Sequence, residues 1–195
     1  YYLVMEPADS SNTAPITVNF TGEEVACAPP AASSCNGTVR EVCFVEEGIR
    51  ELQCADACNN GTCDGDSCDN LFDVSGSVTL TGDSLAYGND FNFTNESTCA
   101  SGGGDGTEAP GYDVAFNLTG LSGGETVTID ATETNADNYI FIMEDCSASG
   151  PCVAASTFGS TLDGWTVPSG GGDYVVVVDQ STTKDVPFQI DVTVE

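Results

Sequence analysis

The sequence predicts an all-β protein: a β-sandwich preceded by a disulfide-rich module and an extended N-terminal strand. Three observations carry this. Tyr112, Val114, Phe116 and Leu118, then Val127, Ile129 and Ala131, then Phe188, Ile190, Val192 and Val194 alternate with polar or small residues. Period two in three separate runs means strands with one face on a core and one in water. Asn138–Glu144 and Asp173–Asp179 are instead continuous apolar runs, which predicts central strands covered on both faces. Finally, seven of the ten cysteines fall between Cys27 and Cys68.

Taken in order, residues 1–25 form an arm. Tyr1, Tyr2, Leu3, Val4 and Met5 make an apolar strand-like run, and Pro15–Thr21 alternates Ile16, Val18 and Phe20 as a second strand. Both complete the sheet of their own domain, or Tyr1–Met5 is a subunit contact that pairs with the edge of a neighbouring copy. Residues 26–70 are the cysteine module: Cys27, Cys35, Cys43, Cys54, Cys58, Cys63 and Cys68, with a short strand over Val39–Val45. So short a segment buries too little apolar area to fold alone, so bridges substitute for a core. Seven is odd, so one cysteine leaves the module; Cys68 with Cys99 is the expected tie to the sandwich. Six remaining cysteines allow about fifteen pairings, which stay open. Residues 71–195 are the sandwich, with an early strand at Ser77–Thr81 and turns at Ser101–Gly106, Gly120–Gly124 and Ser169–Gly172. Cys146 and Cys152 flank a short loop, and their expected bridge would contribute roughly 2.4 kcal/mol.

Composition narrows the function classes. Three basic residues (Arg40, Arg50, Lys184) stand against 31 acidic ones, a net charge of −28. Such a surface repels phosphate backbones and anionic lipid, so neither nucleic acid nor a membrane is an expected partner. It favours divalent cations or basic partners. Many cysteines without histidine favour disulfides over metal ligation, and hence an extracellular or cell-surface location. A start at Tyr1 with no basic leader reads as a mature, secreted form.

Two resemblances follow from particular residues. The spacing from Cys27 through Cys35-Asn-Gly-Thr-Val-Arg-Glu-Val-Cys43 to Cys54-Ala-Asp-Ala-Cys58-Asn-Asn-Gly-Thr-Cys63 resembles a small cysteine-rich repeat of secreted myxobacterial proteins. Such modules act as rigid spacers. Gly111–Thr119, Gly124–Asp130, Asn138–Ile142 with its cysteine loop, and Gly172–Asp179 resemble, in this order, the patterned strands of the bacterial pre-peptidase C-terminal domain. That resemblance implies a jelly-roll-like sandwich, secretion and no catalysis of its own. The chain reads as departing from the family's habit of riding on a secreted peptidase, with no enzyme domain expected beside it.

The residues themselves also argue against catalysis. Gly82-Asp-Ser-Leu85 spells the block of one esterase family, which needs a histidine that this chain lacks. It reads as a turn. Lys184, the only lysine, lies in a predicted hairpin loop, Ser181–Asp185, rather than beside a buried serine. Carboxylates are too many for any pair to indicate a glycosidase, and Trp165, the only tryptophan, reads as core packing. No catalytic residue is assigned. Asp64, Asp66 and Asp69 place three oxygen ligands on one short segment and are the candidate Ca²⁺ site, the competing reading being a solvated acidic turn. Asn19, Asn36, Asn60, Asn92, Asn95 and Asn117 head N-x-Ser/Thr sequons and are candidate glycosylation sites.

Together these features predict a non-catalytic secreted structural protein, a homo-oligomer or filament subunit exchanging its N-terminal strand. The alternative is a secreted binding module for a polysaccharide or a protein, in which case Tyr87, Phe91 and Phe93 would be exposed on one face.

Overall fold

The computed structural model describes residues 33–44, 48–91, 111–133, 138–146, 152–156, 160–180 and 186–195. The cysteine module supplies β1 (Ser34–Asn36), β2 (Val39–Phe44), β3 (Gly48–Gln53), β4 (Cys58–Asn59) and β5 (Thr62–Cys63). β1, β2 and β3 form an antiparallel sheet, and β4 pairs with β5. Asn60-Gly61 closes the tight β4–β5 hairpin with positive φ at both residues, 52° and 83°, the conformation that Asn-Gly favours.

The sandwich contains β6 (Phe72–Ser75), β7 (Val78–Asp83), β8 (Asp113–Leu121), β9 (Thr126–Glu133), β10 (Asn138–Met143), β11 (Cys152–Ala155), β12 (Thr161–Thr166), β13 (Gly172–Gln180) and β14 (Pro187–Val194). One sheet runs β11-β10-β13-β8-β6 and the other β12-β9-β14-β7. Apart from the β10–β11 pair, consecutive strands of the sandwich change sheets. β13 and β14 lie in different sheets and pair with other strands, and the Ser181–Asp185 loop expected between them lies outside the described residues.

Each sheet obeys its sequence pattern. Val114, Phe116 and Leu118 of β8, Ile140 and Ile142 of β10, and Tyr174, Val176 and Val178 of β13 meet Val127 and Ile129 of β9 and Phe188, Ile190 and Val192 of β14 in one core. The other face of the five-stranded sheet is buried as well: Ala115, Phe141, Met143, Val175 and Val177 pack with Phe91 in a second cluster. That second cover is why β10 and β13 are apolar at successive positions. The outer face of the four-stranded sheet stays in water, and β7, β9 and β14 alternate accordingly.

The cysteine module is packed onto the sandwich. Its Leu52, Cys54, Cys58 and Cys63 belong to the same core as the sandwich strands. Gly65 N–H donates to the Asn70 carbonyl at 2.7 Å, and the Gly65 carbonyl accepts from Ala115 N–H at 2.9 Å, so the module extends the edge of β8 ahead of β6. Gly65 has φ +91°, and a Cβ there would stand 2.6 Å from the Ala115 carbonyl oxygen and 2.8 Å from the Phe72 ring. Gly65→Ala should therefore cost roughly 2–4 kcal/mol in denaturant unfolding. Gly76→Ala, also at positive φ but with open space around it, should cost only the backbone strain, about 1 kcal/mol.

The bridges correct the expected pairings. Cys35 bonds Cys58, Cys54 bonds Cys63, and Cys68 bonds Cys146. Cys68 does leave the module for the sandwich, but its partner is Cys146 rather than Cys99, which lies outside the described residues. With Cys146 bonded to Cys68, the expected Cys146–Cys152 bridge does not form. Antiparallel pairing puts Met143 opposite Cys152, while Cys146 lies beyond the end of β10, where it meets the 3-10 turn Cys68–Asn70. Cys43 and Cys152 are also disulfide-bonded, and no cysteine among the described residues is free.

Candidate binding surface

The predicted site residues scatter. Tyr1–Met5, Asn19, Asn92, Phe93, Asn95, Cys27, Cys99 and Lys184 lie outside the described residues. Asn36 and Asn60 are exposed beside turn glycines, in positions open to a glycan. Asn117 is half-buried, and its side-chain amide donates to Asp73 at 2.9 Å. Asp64, Asp66 and Asp69 do not converge. The Asp64 carboxylate accepts from Asn59 Nδ2 at 2.8 and 2.9 Å, Asp66 accepts from Gly88 N–H in the seam between module and sandwich, and Asp69 is exposed on the 3-10 turn. Among the described residues no group of three or more acidic, cysteine or histidine side chains is placed to hold a metal ion. Burial pushes the Asp66 carboxyl up, against the Gly88 hydrogen bond and the Arg40 charge that pull it down.

Tyr87 and Phe91 are not a binding platform either. Tyr87 is 2% exposed, edge-on to Phe188 at 5.9 Å, and its hydroxyl accepts from Ala55 N–H at 2.6 Å; burial pushes its phenol up. Phe91 is 3% exposed on the covered face of the five-stranded sheet. Within Gly82–Leu85, Ser84 is buried and its hydroxyl accepts from Val186 N–H at 3.1 Å, which fixes the chain after β7.

The exposed face of the four-stranded sheet carries an ordered polar lattice. Across it, Thr79 stands opposite Asp191, Asp191 opposite Asp130, and Asp130 opposite Thr161. Thr79 donates to Asp191 Oδ1 at 2.5 Å, Gln189 Nε2 to Asp191 Oδ2 at 2.7 Å, and Thr161 to Asp130 Oδ1 at 3.0 Å. The Thr79 and Gln189 bonds hold the Asp191 carboxyl below the usual carboxylate range. One row further along, Thr81, Gln189 and Thr132 border a cleft of about 440 Å³ floored by Phe188 and Pro187. Gln53 of the module closes one side, and its backbone N–H donates to Asp83 Oδ2 at 2.8 Å. Module and sandwich thus share one concave surface of hydroxyls, amides and a fixed carboxylate over a small apolar floor.

A second acidic arrangement is buried. Asp113 and Asp179 are direct partners across β8 and β13, and both have zero exposure. Asp113 Oδ2 accepts from Phe91 N–H at 2.7 Å, whereas Asp113 Oδ1 and both Asp179 oxygens have no other donor. Burial, then the adjacent Asp113 charge, pushes Asp179 up to about 11; burial also raises Asp113, to about 6, against its hydrogen bonds. The pair therefore keeps a shared proton through neutral pH. In the sequence Asp113 falls among the polar residues of an alternating run and Asp179 ends an apolar one, and only the strand register shows that they meet.

No family model matches the chain, and no curated protein matches it. Among solved structures the chain is similar to the periplasmic inhibitor of g-type lysozyme PliG from Aeromonas hydrophila, at 12% identity, over 64% of this chain and 97% of that one, with a TM-score of 0.41.

Proposed function

We propose that this chain is a secreted, non-catalytic binding module whose partner is a basic protein. The observation that carries the reading is the character of the surface. Ile49 is the one large hydrophobic residue that is exposed among the described residues, the aromatic candidates Tyr87 and Phe91 are buried, and the net charge is −28. Sugars are held on exposed aromatic rings as well as by hydrogen bonds, so burial of those rings favours a protein over a polysaccharide. A high charge of one sign speeds capture of a partner of the opposite sign and rejects partners of the same sign. The disulfides support an oxidising, extracytoplasmic setting. The resemblance of residues 111–179 to the pre-peptidase C-terminal domain supports the non-catalytic character.

The test is a binding panel of basic proteins, acidic proteins and glycans in low and high salt, with electron microscopy of the same samples in salt and Ca²⁺. Binding to basic proteins that weakens steeply with salt is the expected result. Salt-insensitive glycan binding would overturn it in favour of carbohydrate recognition. Filaments that disappear when Tyr1–Met5 are removed would overturn it in favour of a strand-exchanging structural subunit.

A further inference from the structure

β11 and β12 are the outermost strands of their respective sheets, and residues of both line one opening. Between them lies a groove of about 320 Å³. Its apolar walls include Ala154 and Leu162, each 4% exposed, and Ser156 and Thr161 line it beside them. Trp165 is half-buried at the groove and stands edge-on to Tyr174, ring centroids 4.8 Å apart at 81°. That contact fixes the indole in one orientation. Asp163, two residues earlier on β12, lines the same groove and is exposed. A bulge in the β12–β9 register between Leu162 and Trp165, with Gly164 at φ +66°, brings the carboxylate and the indole to one opening. The basic side chains among the described residues, Arg40 and Arg50, belong to the module strands β2 and β3. Arg50 there lies over the Phe44 ring at 5.4 Å.

A slot walled by small and aliphatic side chains and two hydroxyls, and ending in one aromatic ring and one carboxylate, matches a particular ligand: a flexible aliphatic stem with a cationic head. A carboxylate alone would take any cation, and an indole alone any ring, but the two together select a guanidinium or ammonium. We propose that the β11–β12 groove receives an arginine or lysine side chain from the basic partner, its stem along Ala154 and Leu162 and its charge between Trp165 and Asp163. This rests on the reading of the chain as a module for basic proteins, and it assigns the contact that gives that binding its specificity. The choice of occupant comes from charge complementarity with a chain of net charge −28.

Trp165 is the only tryptophan, so emission excited beyond the tyrosine absorption reports this groove alone. The probe is a short arginine-glycine peptide, with a glutamate-glycine peptide and a neutral oligosaccharide as controls. The expected result is a saturable change in Trp165 emission with the arginine peptide and none with the controls. Asp163→Asn should weaken binding by about tenfold while leaving the unfolding transition in place, since Asp163 is exposed. Trp165→Phe, followed by calorimetry, should weaken it less, because a ring remains. If Asp163→Asn and Trp165→Phe bind basic proteins as tightly as the parent chain, the groove assignment fails and the basic-partner reading stands. If the parent chain binds neither the peptide nor any basic protein, both fail. An emission change with the oligosaccharide would overturn the cationic assignment in favour of a sugar subsite.

Discussion

Between pH 6 and pH 9 the unfolding free energy should fall by about 1.4 kcal/mol per pH unit, and Asp179→Asn should abolish the slope. Both Asp113 and Asp179 titrate above their unfolded values in the folded chain: burial raises each, and the adjacent Asp113 charge raises Asp179 further, while hydrogen bonds, the one with Asp179 among them, pull Asp113 back down. A raised carboxyl favours folding fully below its unfolded value and loses that contribution as pH rises toward its folded one. For Asp113 the loss is complete above about 6, while for Asp179 it continues to about 11. In the intervening window the native pair holds one proton that the unfolded chain does not, which sets the slope and its sign.

The composition makes this window unusually clean. There is no histidine, and no cysteine among the described residues is free. Ordinary carboxylates are already ionised, and the terminal amino group is the main other group that titrates there. The amide introduced by Asp179→Asn would donate to the Asp113 carboxylate without needing a proton. Asp179→Asn should therefore raise stability at pH 7 by on the order of 3 kcal/mol. Asp191→Asn, on the exposed lattice where Thr79 and Gln189 hold the carboxyl low, should leave the slope intact. Urea titrations at several pH values measure all three. A flat profile in the parent chain would show that the pair holds no proton.

The second large effect concerns the tie between module and sandwich. Cys68 and Cys146 are 78 residues apart in sequence, and chain-entropy arithmetic gives a loop of that size about 4.5 kcal/mol. The other bridges already restrict the unfolded chain, so the double variant Cys68→Ser, Cys146→Ser should lose somewhat less, about 3–4 kcal/mol. Replacing both residues avoids a leftover thiol. Calorimetry should still show a single transition, moved to lower temperature. Leu52, Cys54, Cys58 and Cys63 sit in the sandwich's own core, and Gly65, Gln53 and Ala55 hydrogen-bond to it or to its side chains. Two separate transitions would mean instead that the bridge alone made them one cooperative unit.

Most strands of the sandwich, and the faces they present, are legible in the residue pattern alone. Alternation marked β8, β9 and β14, and the unbroken apolar runs marked β10 and β13 as covered twice, because side chains on a strand report what lies on each side of it. Composition determined the acidic surface and the oxidising compartment. β6 and β12 carried no comparable signal. β6 is a four-residue edge strand, and β12 is interrupted by its Gly164 bulge. Cysteine pairing, the Asp113–Asp179 contact and the groove between β11 and β12 emerge once the strands are packed. Apart from Cys54–Cys63, nine positions apart, each joins residues tens of positions apart or on different sheets. Local pattern fixes which way a side chain points, whereas its neighbour depends on register and on the order of strands in the sheets. The apolar faces of those sheets settle that order together, when the core closes.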